Sequence, residues 1–399
     1  MMLVGLVGAI RIAWVLPQRA NRNDFAHYYL SSRLLLEGKN PYSTPLEPLY
    51  AKYGFVLDGA LTEVRTPNPP AFLWLFAPLA VLGPRGAFAV WVTVEILSLS
   101  GILFLTQHCL ADRLSNRGMR FVCAAGVASA PVYWHFYFSQ VQLLLAATVL
   151  AAYAWQRQGR HLAACLAVVG AGLVKLFPFV LLPWFLWHSG DNARTRIQRT
   201  AAALSVVVVV LVVTRLALWM DYLRYAAPVS VACAADYTFN FNLPSFLVDL
   251  GYSAYGFKPP PAVARVWWAA GSIVGLGLIV LAYLLCLRVS NDREAQFCLL
   301  CAVMLGVTIT ARGHYYVFLI FPAAVAAVHV ATSPSGLGII FLGLCLLLLN
   351  EQGTWAGPFL DRHLYLKVAC NNLPLYGLVA LGLFFGRELV VSSDSRGRL

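Results

Sequence analysis

About twelve apolar runs, separated by short gaps of which alternate ones carry arginine, restrict this chain to one class of fold: an all-α, polytopic integral membrane protein. The runs fall near residues 2–16, 86–108, 120–135, 141–155, 162–174, 176–188, 200–217, 265–287, 296–310, 315–331, 336–349 and 374–386. A helix needs about 20 apolar residues to cross the hydrocarbon layer, so several of these are short. Hydrophobic residues make up 60% of the 399 and charged residues 12%, which excludes an ordinary soluble domain. No gap is long enough for a separate soluble fold. A single integral membrane domain over residues 1–399 is expected.

The net charge of +12 does not read as a nucleic-acid surface, because the arginines sit in gaps between runs and not on one face. Arg113, Arg117 and Arg120 share one gap, as do Arg157 and Arg160, then Arg194, Arg196 and Arg199, then Arg288 and Arg293. Arg387, Arg396 and Arg398 mark the tail. The positive-inside rule makes these gaps cytoplasmic. That threading requires the extra run from Pro70 to Leu82, opened by Pro69-Pro70, to be an interfacial or re-entrant segment and not a span. It sends the longer loops, 17–85, 218–264 and 350–373, to the extracytoplasmic side, together with the turns at Ser139-Gln140 and Ala311–His314. Met2 to Leu16 carries Arg11 and no small-residue cleavage pattern follows, so it reads as a first span and not as a removable leader. Most of the nine cysteines lie inside apolar runs; Cys233 and Cys370 fall in outer loops, a location compatible with a disulfide.

Four polar patches stand out on the expected outer side. The first is Asp24-Phe25-Ala26-His27-Tyr28-Tyr29, followed by Gly38-Lys39-Asn40-Pro41-Tyr42, which sets an isolated carboxylate at the membrane surface. Phe25, Tyr28, Tyr29, Ser32, Leu35 and Leu36 recur at helical spacing, with Asn23 or Asp24 able to cap the start and Gly38 able to end it. A short amphipathic helix lying on the bilayer is expected, with Asp24 either its cap or a chemical group. The second is Lys175 in Gly170-Ala171-Gly172-Leu173-Val174-Lys175-Leu176-Phe177-Pro178, a lone cation where Pro breaks a Gly-rich span. It either snorkels or binds an anion. The third, Thr310-Ala311-Arg312-Gly313-His314-Tyr315-Tyr316, offers Arg312 and His314 as phosphate donors or as interfacial anchors. The fourth holds Asn240, Asn242 and Ser245 among aromatics, a composition that suits sugar hydroxyls and also any membrane-surface loop. Glu95 and Arg215 are expected to pair with polar neighbours. No nucleotide-binding glycine loop, His/Cys metal cluster or serine elbow is present in the sequence.

In order along the chain, Asp24-Phe25-x-x-Tyr28-Tyr29, Gly38-x-Asn40-Pro41-Tyr42, Pro69-Pro70, Gln140-Val141-Gln142, Arg157-Gln158-Gly159-Arg160, Lys175-Leu176-x-Pro178, Asn242-x-x-Ser245 and His314 resemble glycosyltransferase family 87. These are membrane-embedded GT-C mannosyltransferase-like proteins that use polyprenyl-phosphate sugars. The resemblance implies a bundle of about twelve transmembrane helices with an interfacial helix in the first outer loop. It further implies Asp24 as general base and His314 near the donor phosphate, joined by Lys175 and Arg312. Tyr28, Tyr29, Asn240 and Asn242 are the corresponding sugar or acceptor groups. Ser139 stands where the family pattern has Gly, and Ala311-Arg312-Gly313 replaces a Ser-Trp pair.

The implied reaction transfers a sugar, mannose by the resemblance, from a lipid-linked donor to a hydroxyl of a glycolipid or glycan. It is expected at the outer face of the plasma (inner) membrane. One base with no opposing carboxylate favours a single inverting displacement. No cofactor or metal is expected, since no second acidic residue stands beside Asp24 in the sequence. The alternative class is a transporter or flippase of a lipid-linked or small polar solute; it predicts internal repeats or a polar path across the bilayer, and neither is visible.

Overall fold

The computed structural model describes residues 2–19, 23–56, 66–187, 191–226, 240–255, 261–288, 292–308, 310–332, 335–350 and 363–394, and every regular element among them is helical. In chain order these are α1 (Met2–Arg19), α2 (Asn23–Leu36), α3 (Glu47–Tyr53), α4 (Pro70–Ala80), α5 (Pro84–Leu110), α6 (Asn116–Ala128), α7 (Ala130–Phe138), α8 (Gln142–Arg157), α9 (His161–Val174), α10 (Leu182–Leu186), α11 (Ala193–Val213) and α12 (Leu216–Asp221). There follow α13 (Leu243–Tyr255), α14 (Pro261–Arg288), α15 (Arg293–Val307), α16 (Ile320–Thr332), α17 (Gly336–Asn350), α18 (Leu364–Asn371) and α19 (Leu373–Asp394). Residues 1–109, 123–128 and 132–230 form one compact unit, and residues 110–122, 129–131 and 231–399 a second.

Five described segments are long and apolar enough to cross a membrane: Pro84–Leu110, Ala193–Val213, Val263–Arg288, Gly313–Thr332 and Leu373–Val390. A sixth arises if Leu3–Arg19 and Asp24–Leu36, bent by 45°, act as one broken span. This is a polytopic membrane protein. The expected twelve spans outnumber the helices that meet this length because several apolar runs are interrupted. α9 stops at Lys175, whose backbone is extended (φ −143°, ψ 131°), and a 3-10 turn containing Pro178 follows. The run at 200–217 is broken at Arg215, where φ is +63°, and the run at 120–135 passes from α6 to α7 at Ser129.

In the first unit α2 packs along α4, and α8 along α9. The segment 24–36 was expected to keep one face exposed; instead Phe25, Ala26, Tyr28, Tyr29, Leu30, Ser31, Ser32, Leu34 and Leu35 are all buried. Its polar groups tolerate burial because carbonyls on and just past α4 receive them. Ser32 donates to Leu73 O (3.0 Å), Arg33 to Ala80 O (3.3 Å) and Tyr29 to Leu82 O (2.9 Å); the last two satisfy carbonyls that a helix end leaves without partners. Gly38 ends α2 in the left-handed region at φ +73°, with Lys39 N–H returning to Leu34 O (2.9 Å), as expected of a glycine there. The Asn-Pro-Tyr motif after it is a clamp. Asn40 donates to Asp221 Oδ2 (2.6 Å), and the buried Tyr42 hydroxyl donates to Asn68 O (2.7 Å). Burial pushes the Tyr42 phenol well up, so it stays a donor.

In the second unit α13 packs on α14, while α15 and α17 pack on α19. α13 and α14 cross so closely that a Cβ on Gly271 would lie 2.5 Å from Pro244 Cα, so only glycine fits there. Asp292 caps α15 through the amides of Glu294 (3.1 Å) and Ala295 (3.0 Å). Cys233 lies outside the described residues; Cys370 is half-buried on α18.

Candidate active site

Asp24 lies inside the first turn of α2, where the aligned peptide dipoles favour an anion, and its side chain is partly exposed. Its Oδ2 accepts a hydrogen bond from Nε2 of Gln140. The other end of that amide, Oε1, accepts from the buried Tyr28 hydroxyl (3.1 Å). An ionised carboxylate only accepts, so the amide nitrogen must face Asp24 and the oxygen must face the phenol. Tyr28 in turn is wedged edge-on against Phe72 (ring centroids 4.6 Å) and Phe76 (5.8 Å) of α4 and Trp91 (6.0 Å) of α5.

Gln140 is delivered by the turn that joins α7 to α8. Ser139 N–H donates to Phe136 O (3.3 Å) and Gln140 N–H to His135 O (3.2 Å), the pairing of a Schellman cap. Ser139 supplies the left-handed residue at φ +51°, a position that usually takes glycine. α5 grips the turn twice. Trp91 Nε1 donates to Ser139 O (3.3 Å), and one helical turn further on Glu95 meets His135 Nε2 at 3.2 Å with both side chains buried. The polar partner expected for Glu95 is therefore His135. Arg215 instead stands exposed at the break before α12.

Lys175 is half-buried at the end of α9. The first unit thus brings Asp24, Gln140 and Tyr28 into one network. Tyr29 is buried and faces Leu82 O. His27, one turn beyond Asp24, lies edge-on to Tyr50 at 5.9 Å.

The second unit joins the other two patches. Phe241 N–H donates to Ala311 O (2.8 Å), and the buried Tyr316 hydroxyl donates to Phe241 O (2.8 Å). Asn242 is the cap of α13: its Oδ1 accepts from Ser245 N–H (2.8 Å), and its Nδ2 donates to Thr308 O (2.8 Å). Asn240 is buried, His314 is buried with its ring 5.0 Å from Tyr315, and Arg312 is partly exposed. Further along α13, Asn372 Nδ2 donates to Asp249 Oδ2 (3.1 Å). Burial pushes the Asp249 carboxyl up to about 6, with the Asn372 amide opposing the shift. Among the described residues no three His, Cys, Asp or Glu side chains converge as metal ligands.

Gln140, His135 and Asp249 carry roles here that local sequence reading did not assign. Only the first has a sequence signal, the polar pair Gln140-Val141-Gln142 at the head of an apolar run.

The fold and site define a polytopic, all-helical membrane protein with a partly exposed carboxylate held at a helix start by a remote amide. The model of glycosyltransferase family 87 matches residues 66–311, more than half of the sequence, and the chain belongs to that family. It is a membrane glycosyltransferase, acting on a sugar donor and an acceptor. The matched range includes Gln140, Lys175, Asn240 and Asn242, begins after Asp24, and stops just short of Arg312 and His314. No individual curated protein matches the chain.

Proposed function

We propose that this glycosyltransferase moves a sugar, mannose first among candidates, from a polyprenyl-phosphate donor to a hydroxyl of a glycolipid or glycan. The reaction takes place at the extracytoplasmic face of the plasma (inner) membrane. The observation that carries the reading is the partly exposed Asp24 carboxylate, fixed on one oxygen by Gln140 in a chain of this family. In the proposed step Asp24 takes the proton of the acceptor hydroxyl as that oxygen bonds to the anomeric carbon. The bond from that carbon to the donor's phosphate oxygen breaks, its electron pair leaves with the phosphate, and the configuration inverts.

Lys175, His314 and Arg312 are the proposed partners of the departing phosphate, each a cation or a hydrogen-bond donor. Tyr28, Tyr29, Asn240 and Asn242 are the proposed sugar and acceptor groups. Tyr28, Tyr29 and Asn242 each already make a hydrogen bond in the structure, so their share is first to hold α2 and the Phe241 segment in place. A monophosphate leaving group attended by such side chains is proposed to depart without a metal, and turnover is expected to survive EDTA.

The test is incubation of the purified, lipid-reconstituted protein with short-chain polyprenyl-phosphate sugars and, separately, with nucleotide sugars. Consumption of the polyprenyl-phosphate mannose, absent in Asp24→Asn, is the expected result. Consumption of nucleotide sugars alone would overturn the donor class.

A further inference from the structure

We infer that Gln140 is a positioning residue that divides the two oxygens of Asp24, holding Oδ2 so that Oδ1 alone receives the acceptor proton. The inference rests on the reading of Asp24 as the base and goes beyond it by assigning the geometry of that base to a second residue and to the turn that carries it.

The argument is one of hydrogen-bond capacity. Gln140 is almost fully buried, so each end of its amide needs a partner, and the structure supplies one acceptor and one donor: Asp24 Oδ2 and the Tyr28 hydroxyl. Because an ionised carboxylate only accepts, it fixes which end of the amide is nitrogen, and a half-turn of the amide would present a carbonyl to the carboxylate. Oδ1 of Asp24 makes no hydrogen bond among the described residues and is the oxygen left for an acceptor hydroxyl.

The turn that holds Gln140 is fixed well beyond what connecting two helices requires. Ser139 takes a left-handed backbone that a non-glycine residue adopts at a cost; its carbonyl is bound by Trp91, and Glu95 lies 3.2 Å from the preceding His135. All of these contacts act on the segment 135–140, from which Gln140 reaches Asp24. Rigid support beneath a polar group aimed at a reacting carboxylate is what a preorganised base requires.

The pH–rate profile separates positioning from mere packing. The titratable groups of α2 beside Asp24 are His27, on which Asp24 and Glu47 of α3 both act, and Tyr28, which shares the hydrogen-bond network; Gln140 from the α7–α8 turn is neutral. Gln140→Glu keeps the shape and replaces the amide donor by a second carboxyl, and two carboxyls sharing a site retain a proton to higher pH. The acidic limb of kcat/KM is expected to move up by about one pH unit or more, with kcat at neutral pH down about tenfold or more and donor KM little changed. Tyr28→Phe, which removes only the hydroxyl, is expected to lower kcat by a smaller factor without moving that limb upward. It supplies a reading should Gln140→Glu fail to fold. A wild-type acidic limb and a kcat within about twofold of wild type in Gln140→Glu overturn the inference, as does an unaltered kcat in Tyr28→Phe. Near-normal transfer by Asp24→Asn removes the base itself, a separate failure visible in the same assay.

Discussion

Gln140 in the first unit and Asn242 in the second are both buried amides at the head of an apolar helix, and they serve opposite ends. Asn242 accepts from one backbone group, Ser245 N–H, and donates to another, Thr308 O, and so closes a helix start and ties it to a neighbouring segment. The Gln140 amide bonds to side chains, accepting from Tyr28 and donating to an acid on a helix 116 residues away in sequence. A buried amide saturated by backbone stabilises its own fold locally. An amide saturated by a carboxylate sets the direction of that carboxylate, and the carboxylate stays partly open to what approaches it.

The contrast breaks most visibly at Asp24. A general base contributes about 10² to 10⁴ in rate, so Asp24→Asn is expected to lower turnover by at least about two orders of magnitude. The folded protein and its donor affinity should be retained, which a thermal melt and donor-binding titration check. Retained turnover reduces Asp24 to a dipole-compensating residue of α2 and makes Gln140 as structural as Asn242.

Asn242→Ala is the matching change in the second unit. It removes a helix cap, worth about 1 kcal/mol, and leaves the Thr308 carbonyl without its donor, costing about 1 kcal/mol or more. The expected result is a stability loss of about 2 kcal/mol by denaturant titration, with kcat per folded molecule altered far less than in Asp24→Asn. A variant of normal stability and lost activity would move Asn242 from scaffold to sugar contact.

How much of this was readable from sequence follows the same line between local and remote partners. The end of α2 at Gly38, the break at Lys175 before Pro178 and the polar partnering of Glu95 follow from residues a few positions apart or from the cost of a lone charge in an apolar helix. The burial of α2 did not follow, because the groups that receive Ser32, Arg33 and Tyr29 are carbonyls on and just past α4, and carbonyls leave no mark in a sequence. The same holds for Gln140: its position at the head of an apolar run is visible, but its pairing with Asp24 is made by folding. The apolar runs located helices well and lengths poorly, since an interruption such as the φ of +63° at Arg215 costs no hydrophobicity.

A carboxylate that is held by an amide without a catalytic neighbour gives a third, smaller contrast. Asp249 is paired with Asn372, and its carboxyl is pushed up to about 6 from a reference of 3.8. The folded protein therefore binds more protons than the unfolded chain between about pH 4 and pH 6, and stability falls as pH rises through that window. Asp249→Asn removes this dependence. Relative to wild type it should gain stability progressively from about pH 4 to pH 6 and hold the gain above, by up to about 2 kcal/mol. A difference between the two proteins that does not change with pH would show the carboxyl to be solvated.

The smallest expected effect concerns the turn itself. Ser139 is wholly buried, its hydroxyl has no partner among the described residues, and its backbone sits at φ +51°. A side chain in the left-handed region costs about 1 kcal/mol or more relative to glycine, and an unpaired buried hydroxyl adds to that. Against this, glycine loses more freedom on folding, an offset of about 0.5 to 1 kcal/mol. Ser139→Gly should therefore stabilise the protein by about 1 kcal/mol or less, measured as a small rise in melting temperature. The informative outcome is the pairing of that rise with the acidic limb of the rate profile. If glycine stabilises the turn and the limb stays where it is, Trp91 and the Glu95–His135 pair suffice to aim Gln140. If the limb moves, the strained backbone at Ser139 is itself part of how the amide is aimed.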